Sequence, residues 1–193
     1  MYMTKDLQII QQLQSKFGEF SYELNSDKKV VELIIGFNNV KNEDLELIGE
    51  LTSLQKLLLS VNSITKIQNL DKLNELRELC LSDNKITEIQ GLEKLSELRE
   101  LWLGYNQITT IQGLDSLTKL KKLDLELNQI TEIQSLEKLS KLNWLRLHDN
   151  KITKIKGLDG LTNLEYLDLS RNNIPKSQID KFQANHPKIN VFF

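Results

Sequence analysis

The chain has 193 residues, a length that fits one domain, and its 39% apolar and 27% charged residues are ordinary for a soluble protein and not for a disordered one. Its formal charge of -2, with 25 Lys and Arg scattered among 27 Asp and Glu, leaves no basic footprint for nucleic acid or an anionic membrane. No segment approaches a membrane span, Met1 to Leu13 lacks the parts of a secretory signal, and Cys80 has no second cysteine to pair with, so a cytoplasmic location is expected.

Taken in chain order, Asp6 to Phe17 places Leu7, Ile10, Leu13 and Phe17 on one side of a helix, suited to capping a core that follows. Phe20 to Leu24 reads as a strand that turns at Asn25, Ser26 and Asp27 and runs back against residues 31–35. Val30, Leu33, Ile35 and Asn38 then open a pattern that becomes strict from Leu54 onward. Leu54, Leu76, Leu98, Leu120, Leu142 and Leu164 recur every 22 residues, in step with Asn62, Asn84, Asn106, Asn128, Asn150 and Asn172. The first unit carries two extra residues, since Leu54 lies 24 after Val30.

Each unit reads Leu-x-x-Leu-x-Leu-x-x-Asn-x-Ile, as from Leu98 to Ile108, and its period-two middle is a short strand. The return arm, such as Thr109 to Lys119, brings Ile111, Leu114 and Leu117 inward at intervals of three, with Gly91, Gly113 or Gly157 at one turn position; it is too short for a full helix. Stacked units bury one continuous core, and the Asn column sits where its amides can satisfy backbone groups of adjacent turns. At the end, Ser177 is expected to N-cap a short helix with Ile179 and Phe182 inward. Ile189 and Val191, 22 residues beyond Leu167 and Leu169, are expected to form a last strand, with His186 in the place of a repeat-opening Leu.

This repeat resembles the leucine-rich-repeat superfamily, and the Asn-x-Ile-Thr-x-Ile-x-x-Leu run resembles its SDS22-like subclass, used also by bacterial internalins. The tail resembles bacterial leucine-rich-repeat endings. The resemblance implies an α/β solenoid: a right-handed horseshoe with a parallel concave sheet of about eight strands, a helical N-terminal cap and a helix-strand C-terminal cap. Residues 1–29 are the expected N-terminal cap, 30–53 a degenerate first repeat, 54–174 regular repeats and 175–193 the C-terminal cap, all in one domain.

Residues alternating with core leucines face the inside of such a sheet. Variation collects there, whereas outer arms such as 87–96 and 131–140 are nearly identical. The expected partner-binding residues are the apolar and aromatic Leu58, Trp102, Tyr105, Trp144 and Tyr166, types that anchor interfaces, with Asp124, Glu126, Arg146, His148 and Asp168 selecting the partner. Asp124, Arg146 and Asp168 share one column and are expected to form ion pairs, as are Glu126 and His148 in the next. The alternative to binding is that the aromatic rings stack on one another across rows and stiffen the sheet. No nucleophile motif, phosphate loop or metal-ligand spacing accompanies these groups, so no catalysis, metal or cofactor is expected.

The expected function is therefore a monomeric, non-catalytic protein-interaction module with its protein ligand on the concave face. The uniform arms fit, alternatively, a consensus-type engineered scaffold without a natural ligand. The SDS22-like resemblance implies a regulatory subunit, for example of a phosphatase, and the internalin resemblance a bacterial protein that grips a host surface molecule.

Overall fold

In the computed structural model, which describes residues 3–193, nine strands form one sheet in chain order. Met1 and Tyr2, the first residues of the expected N-terminal cap, lie outside the described residues. Helix α1 (Lys5–Phe17) precedes an antiparallel hairpin of β1 (Ser21–Leu24) and β2 (Val30–Ile34). A short helix α2 (Asp44–Ile48) leads to β3 (Lys56–Leu58), and one strand per turn follows: β4 (Glu78–Cys80), β5 (Glu100–Trp102), β6 (Lys122–Asp124), β7 (Trp144–Arg146) and β8 (Tyr166–Asp168). Helix α3 (Lys176–Asn185) and β9 (Asn190–Phe192) close the chain. From β2 to β9 all pairings are parallel, which gives the eight-stranded parallel sheet of the expected horseshoe plus one antiparallel strand at its edge.

The repeated strands are only three residues long because the chain leaves the sheet at each ladder Asn. Asn106 shows how the exit is held. Its Oδ1 accepts from Ile86 N–H at 2.9 Å, and its Nδ2 donates to the carbonyls of Leu81, Leu103 and Gly104 at 3.0, 3.1 and 3.1 Å. Asn84, Asn128 and Asn150 repeat the pattern one turn apart, so each amide ties its own turn to the previous one. The groups it satisfies lie beside a core of leucine and isoleucine almost wholly removed from water, where an unpaired N–H or C=O is costly.

Two backbone columns run alongside. The residue before each ladder Asn is left-handed: Phe37, Val61, Asp83, Tyr105, Leu127, Asp149 and Arg171 all have φ between 49° and 61°. None is glycine, and Val61 is β-branched, so local preference opposes the conformation and the repeated hydrogen bonding imposes it. In the return arm Asn69, Gly91, Gly113, Ser135 and Gly157 share a second left-handed column, and there glycine has a further reason. A Cβ on Gly113 would lie 2.7 Å from the Ile89 carbonyl oxygen.

The ends follow different rules. α1 buries Ile9, Ile10 and Leu13, and also Asp6, whose carboxylate accepts from Val30 N–H at 2.9 Å and so starts β2. Lys16 on α1 pairs with buried Asp44 on α2, a helix not expected from the sequence and made possible by the two extra residues of the first repeat. The C-terminal expectations need two corrections. Ser177 does not cap α3: the helix begins at Lys176 after Pro175, whose carbonyl accepts the first turn's N–H from Gln178. The last register is also shifted, because Leu167 pairs with Val191 and not with Ile189. The last unit, which contains the ten-residue α3, spans 24 residues from Leu167 to Val191 where a regular turn spans 22. Lys188 therefore stands where a repeat would open, and His186 is exposed with its ring stacked on Phe182.

Asn106→Ala is expected to lower unfolding stability by about 2–4 kcal/mol in urea titration, since four backbone groups lose their partner. Gly113→Ala should cost about 1 kcal/mol or more, and Ser135→Gly should add about 1 kcal/mol by relieving the left-handed strain.

Candidate functional site

The in-line register turns the inner face into columns. Glu32, Lys56, Glu78, Glu100, Lys122, Trp144, Tyr166 and Asn190 face one another in sequence along one column. The neighbouring column carries Ile34, Leu58, Cys80, Trp102, Asp124, Arg146, Asp168 and Phe192.

Three of the expected aromatics come together. Trp102 reaches over β6 to Trp144, centroid to centroid 5.5 Å, and Trp144 stacks on Tyr166 at 5.2 Å with the planes 10° apart. Phe192, which sequence reasoning missed because of the shifted last register, extends the row 5.3 Å beyond Tyr166. Arg146 lies over the Trp144 ring at 4.9 Å. The faces of Trp144 are thereby occupied, and the rings are half-buried, so what remains for a ligand is mainly their edges. Ring stacking and an available surface are both features of this row. Tyr105 stands apart on the rim, 51% exposed, and Leu58 lies two strands away from Trp102, also outside the row. Phe37, 82% exposed at the equivalent rim position of the first repeat, is the most exposed large apolar residue described.

The charged residues pair differently from the expectation. Arg146 bridges Asp124 at 3.4 Å and Glu126 at 3.2 Å, and makes no ion pair with Asp168. Asp168 turns instead to its own strand end, accepting from the Ser170 N–H at 3.0 Å and hydroxyl at 2.5 Å. His148 Nδ1 meets the same hydroxyl at 2.7 Å and does not pair with Glu126. Ser170 thus sits between the carboxylate and the imidazole. Its single proton is directed to Asp168, so in this arrangement His148 Nδ1 donates to the hydroxyl oxygen.

Asp124 is the most deeply placed carboxyl of the face, at 4% exposure. Burial is the main influence and pushes it up to about 6; the Glu126 N–H and Arg146 oppose the rise, while the Glu126 and Asp168 carboxylates add to it. Burial also works against the charge of Arg146, but Asp124 and Glu126 outweigh it and hold its pKa above the usual value. Among the described residues no group of three His, Cys, Asp or Glu is placed to hold a metal ion. A cavity of about 620 Å³ lies off this face, between the last return arm and α3, lined by Leu158, Leu161, Leu164, Phe182 and Ile189. No helix among the described residues is long and apolar enough to cross a membrane.

The sequence family described as Leucine Rich repeats (2 copies) matches residues 52–94, 74–116, 96–138 and 140–183, well over half of the chain. Among solved structures, an internalin (inlF) from Listeria monocytogenes is similar at 28% identity and a TM-score of 0.73, over 97% of this chain and 55% of that one. A leucine-rich-repeat protein of Leptospira interrogans is similar at 25% identity and a TM-score of 0.69, over 77% of this chain and 45% of that one. The chain thus spans about half the length of these proteins. No curated protein matches it.

In the folded chain Asp124 holds its proton up to about pH 6, whereas an unfolded Asp releases it near pH 4. Folding therefore takes up a proton between these values, and stability falls as pH rises through that window, on the order of 2–3 kcal/mol in all. Asp124→Asn should gain on the wild type from pH 4 to 6 in urea unfolding and keep the gain above pH 6. Carboxyl NMR should place the Asp124 midpoint near 6; a midpoint below 4 contradicts this account.

Proposed function

Because the chain belongs to the leucine-rich-repeat family, whose members in general bind other proteins, we propose that it is a non-catalytic module that holds a protein partner against its concave face. The observation that carries the reading is the division of labour within each turn. The core and ladder positions repeat almost without change, while the strand positions facing inward differ from turn to turn. Recognition needs such a surface, and folding alone does not.

In this reading Trp102, Trp144 and Tyr166 supply the contact area at the centre, and Tyr105 adds an exposed ring at the rim. Aromatics held in place by their neighbours lose little side-chain freedom on binding, which favours them as anchors. Arg146 with Asp124 and Glu126, and His148 with Asp168 through Ser170, present donors and acceptors in fixed positions beside the rings and select the partner by charge and hydrogen bonding. Leu58 lengthens the apolar contact toward the N-terminal strands. The lone thiol of Cys80, which has no second cysteine to pair with, fits a reducing, cytoplasmic setting.

The test compares wild type with Trp102→Ala/Trp144→Ala, both confirmed as folded by circular dichroism, in capture of partners from a lysate of the source cells. A protein retained by the wild type and weakened at least about tenfold by the double variant is the expected result, as for loss of central aromatic anchors. Equal capture by both would remove the inner face from the function.

A further inference from the structure

Most charges on the inner face are neutralised within it. Lys56 is shared by Glu32 and Glu78, Lys122 pairs with Glu100, and Arg146 pairs with Asp124 and Glu126. One set is left over. Arg77, Arg99 and Lys121 are the residues immediately before β4, β5 and β6, all three exposed and none in an ion pair among the described residues. They follow one another on adjacent strands at about 4.8 Å, a single file of cations along the leading edge of the middle of the sheet. The flanking turns break the file with Gln55 and Asn143.

Among the described residues no carboxylate forms an ion pair with this file, although the exposed Glu75 borders it beside Arg77. The carboxylate of Glu97 feels Arg99 and Arg77, yet it is already held by Lys119 at 2.5 Å. Glu78 and Glu100 on the inner side are taken by Lys56 and Lys122. Three like charges on neighbouring turns repel one another, so the row is a place where an outside carboxylate gains and an outside cation loses. The row also adjoins the aromatic site, for Trp102 is on β5, whose leading edge is Arg99.

Resting on the concave-face reading above, we infer that the partner presents a run of Asp or Glu side chains to Arg77, Arg99 and Lys121 while its apolar part covers Trp102 and Tyr105. A protein carboxylate run fits better than a nucleic acid. The file is one residue wide, is bordered by Glu78 and Glu100 on one side and Glu75 and Glu97 on the other, and belongs to a chain of net charge -2. A continuous polyanion would lie across those carboxylates, whereas discrete side chains can meet the cations and avoid them.

Fluorescence anisotropy with labelled short poly-glutamate, poly-lysine of the same length and a single-stranded DNA oligonucleotide, at low salt and at near-physiological salt, tests the assignment. Poly-glutamate is expected to bind saturably, more weakly as salt rises, and at least about tenfold more weakly to Arg77→Glu/Arg99→Glu/Lys121→Glu. The milder Arg77→Gln/Arg99→Gln/Lys121→Gln should give an intermediate loss; these side chains are exposed, and unchanged circular dichroism and melting check the fold. Poly-lysine binding as tightly, the oligonucleotide binding more tightly, or poly-glutamate binding untouched by both triple variants would overturn the inference. The titration needs neither Trp102 nor Trp144, so failure of the aromatic variants and failure of the cation file remain separate results.

Discussion

One buried amide per turn governs this molecule. Each ladder Asn accepts from an N–H of the turn before it and donates to carbonyls of both turns, and from Asn62 to Asn150 it does so at a depth where water cannot substitute. Because the groups are backbone groups, the constraint is indifferent to the side chains of the strand. It dictates where the strand ends, forces the residue before it into the left-handed region, and sets the one-for-one register that lines up every column. The leucines supply the driving force for collapse; the amides decide which collapsed arrangement the chain adopts.

Freedom on the inner face is the counterpart of that constraint. With register and core settled elsewhere, positions such as those of Glu100, Trp102, Lys122 and Asp124 can differ from turn to turn without disturbing the stack. The molecule uses the freedom in two ways. Charges are mostly cancelled in the plane of the sheet, which leaves the few uncancelled ones to act at a distance. The rings from Trp102 to Phe192 pack on one another, face to face between Trp144 and Tyr166 and tilted at either end, and this holding of the rings lowers the ordering cost of any contact made on the row.

Much of this was legible in the sequence, and the limits are physical. A period of 22 residues locates core, strand and ladder because every turn repeats the same burial problem. Pairings on the face were not legible, because spacing places Asp124, Arg146 and Asp168 in one column but cannot say which neighbour a long guanidinium reaches; Glu126 in the adjacent column was closer than Asp168. Phe192 was missed since α3 takes two residues beyond the repeat, and the count shifts. The left-handed rim was hidden for a different reason. Phe37, Val61, Tyr105 and Leu127 carry no turn preference, and only the hydrogen bonds of the assembled stack hold them there.

The most direct measurement is a protease-resistance scan of all single substitutions in the chain, read as folding stability. The account has substitutions of the ladder Asn residues and core leucines lowering resistance most, by about 2–4 kcal/mol or more, while those at Glu100, Lys122, Tyr105 and Arg99 are tolerated and those at Trp144 and Tyr166 cost no more than about 1.5 kcal/mol, the scale of a ring pair. If the inner-face positions proved as intolerant as Asn106, the face would be part of what holds the solenoid together, and its diversity would no longer speak for a partner.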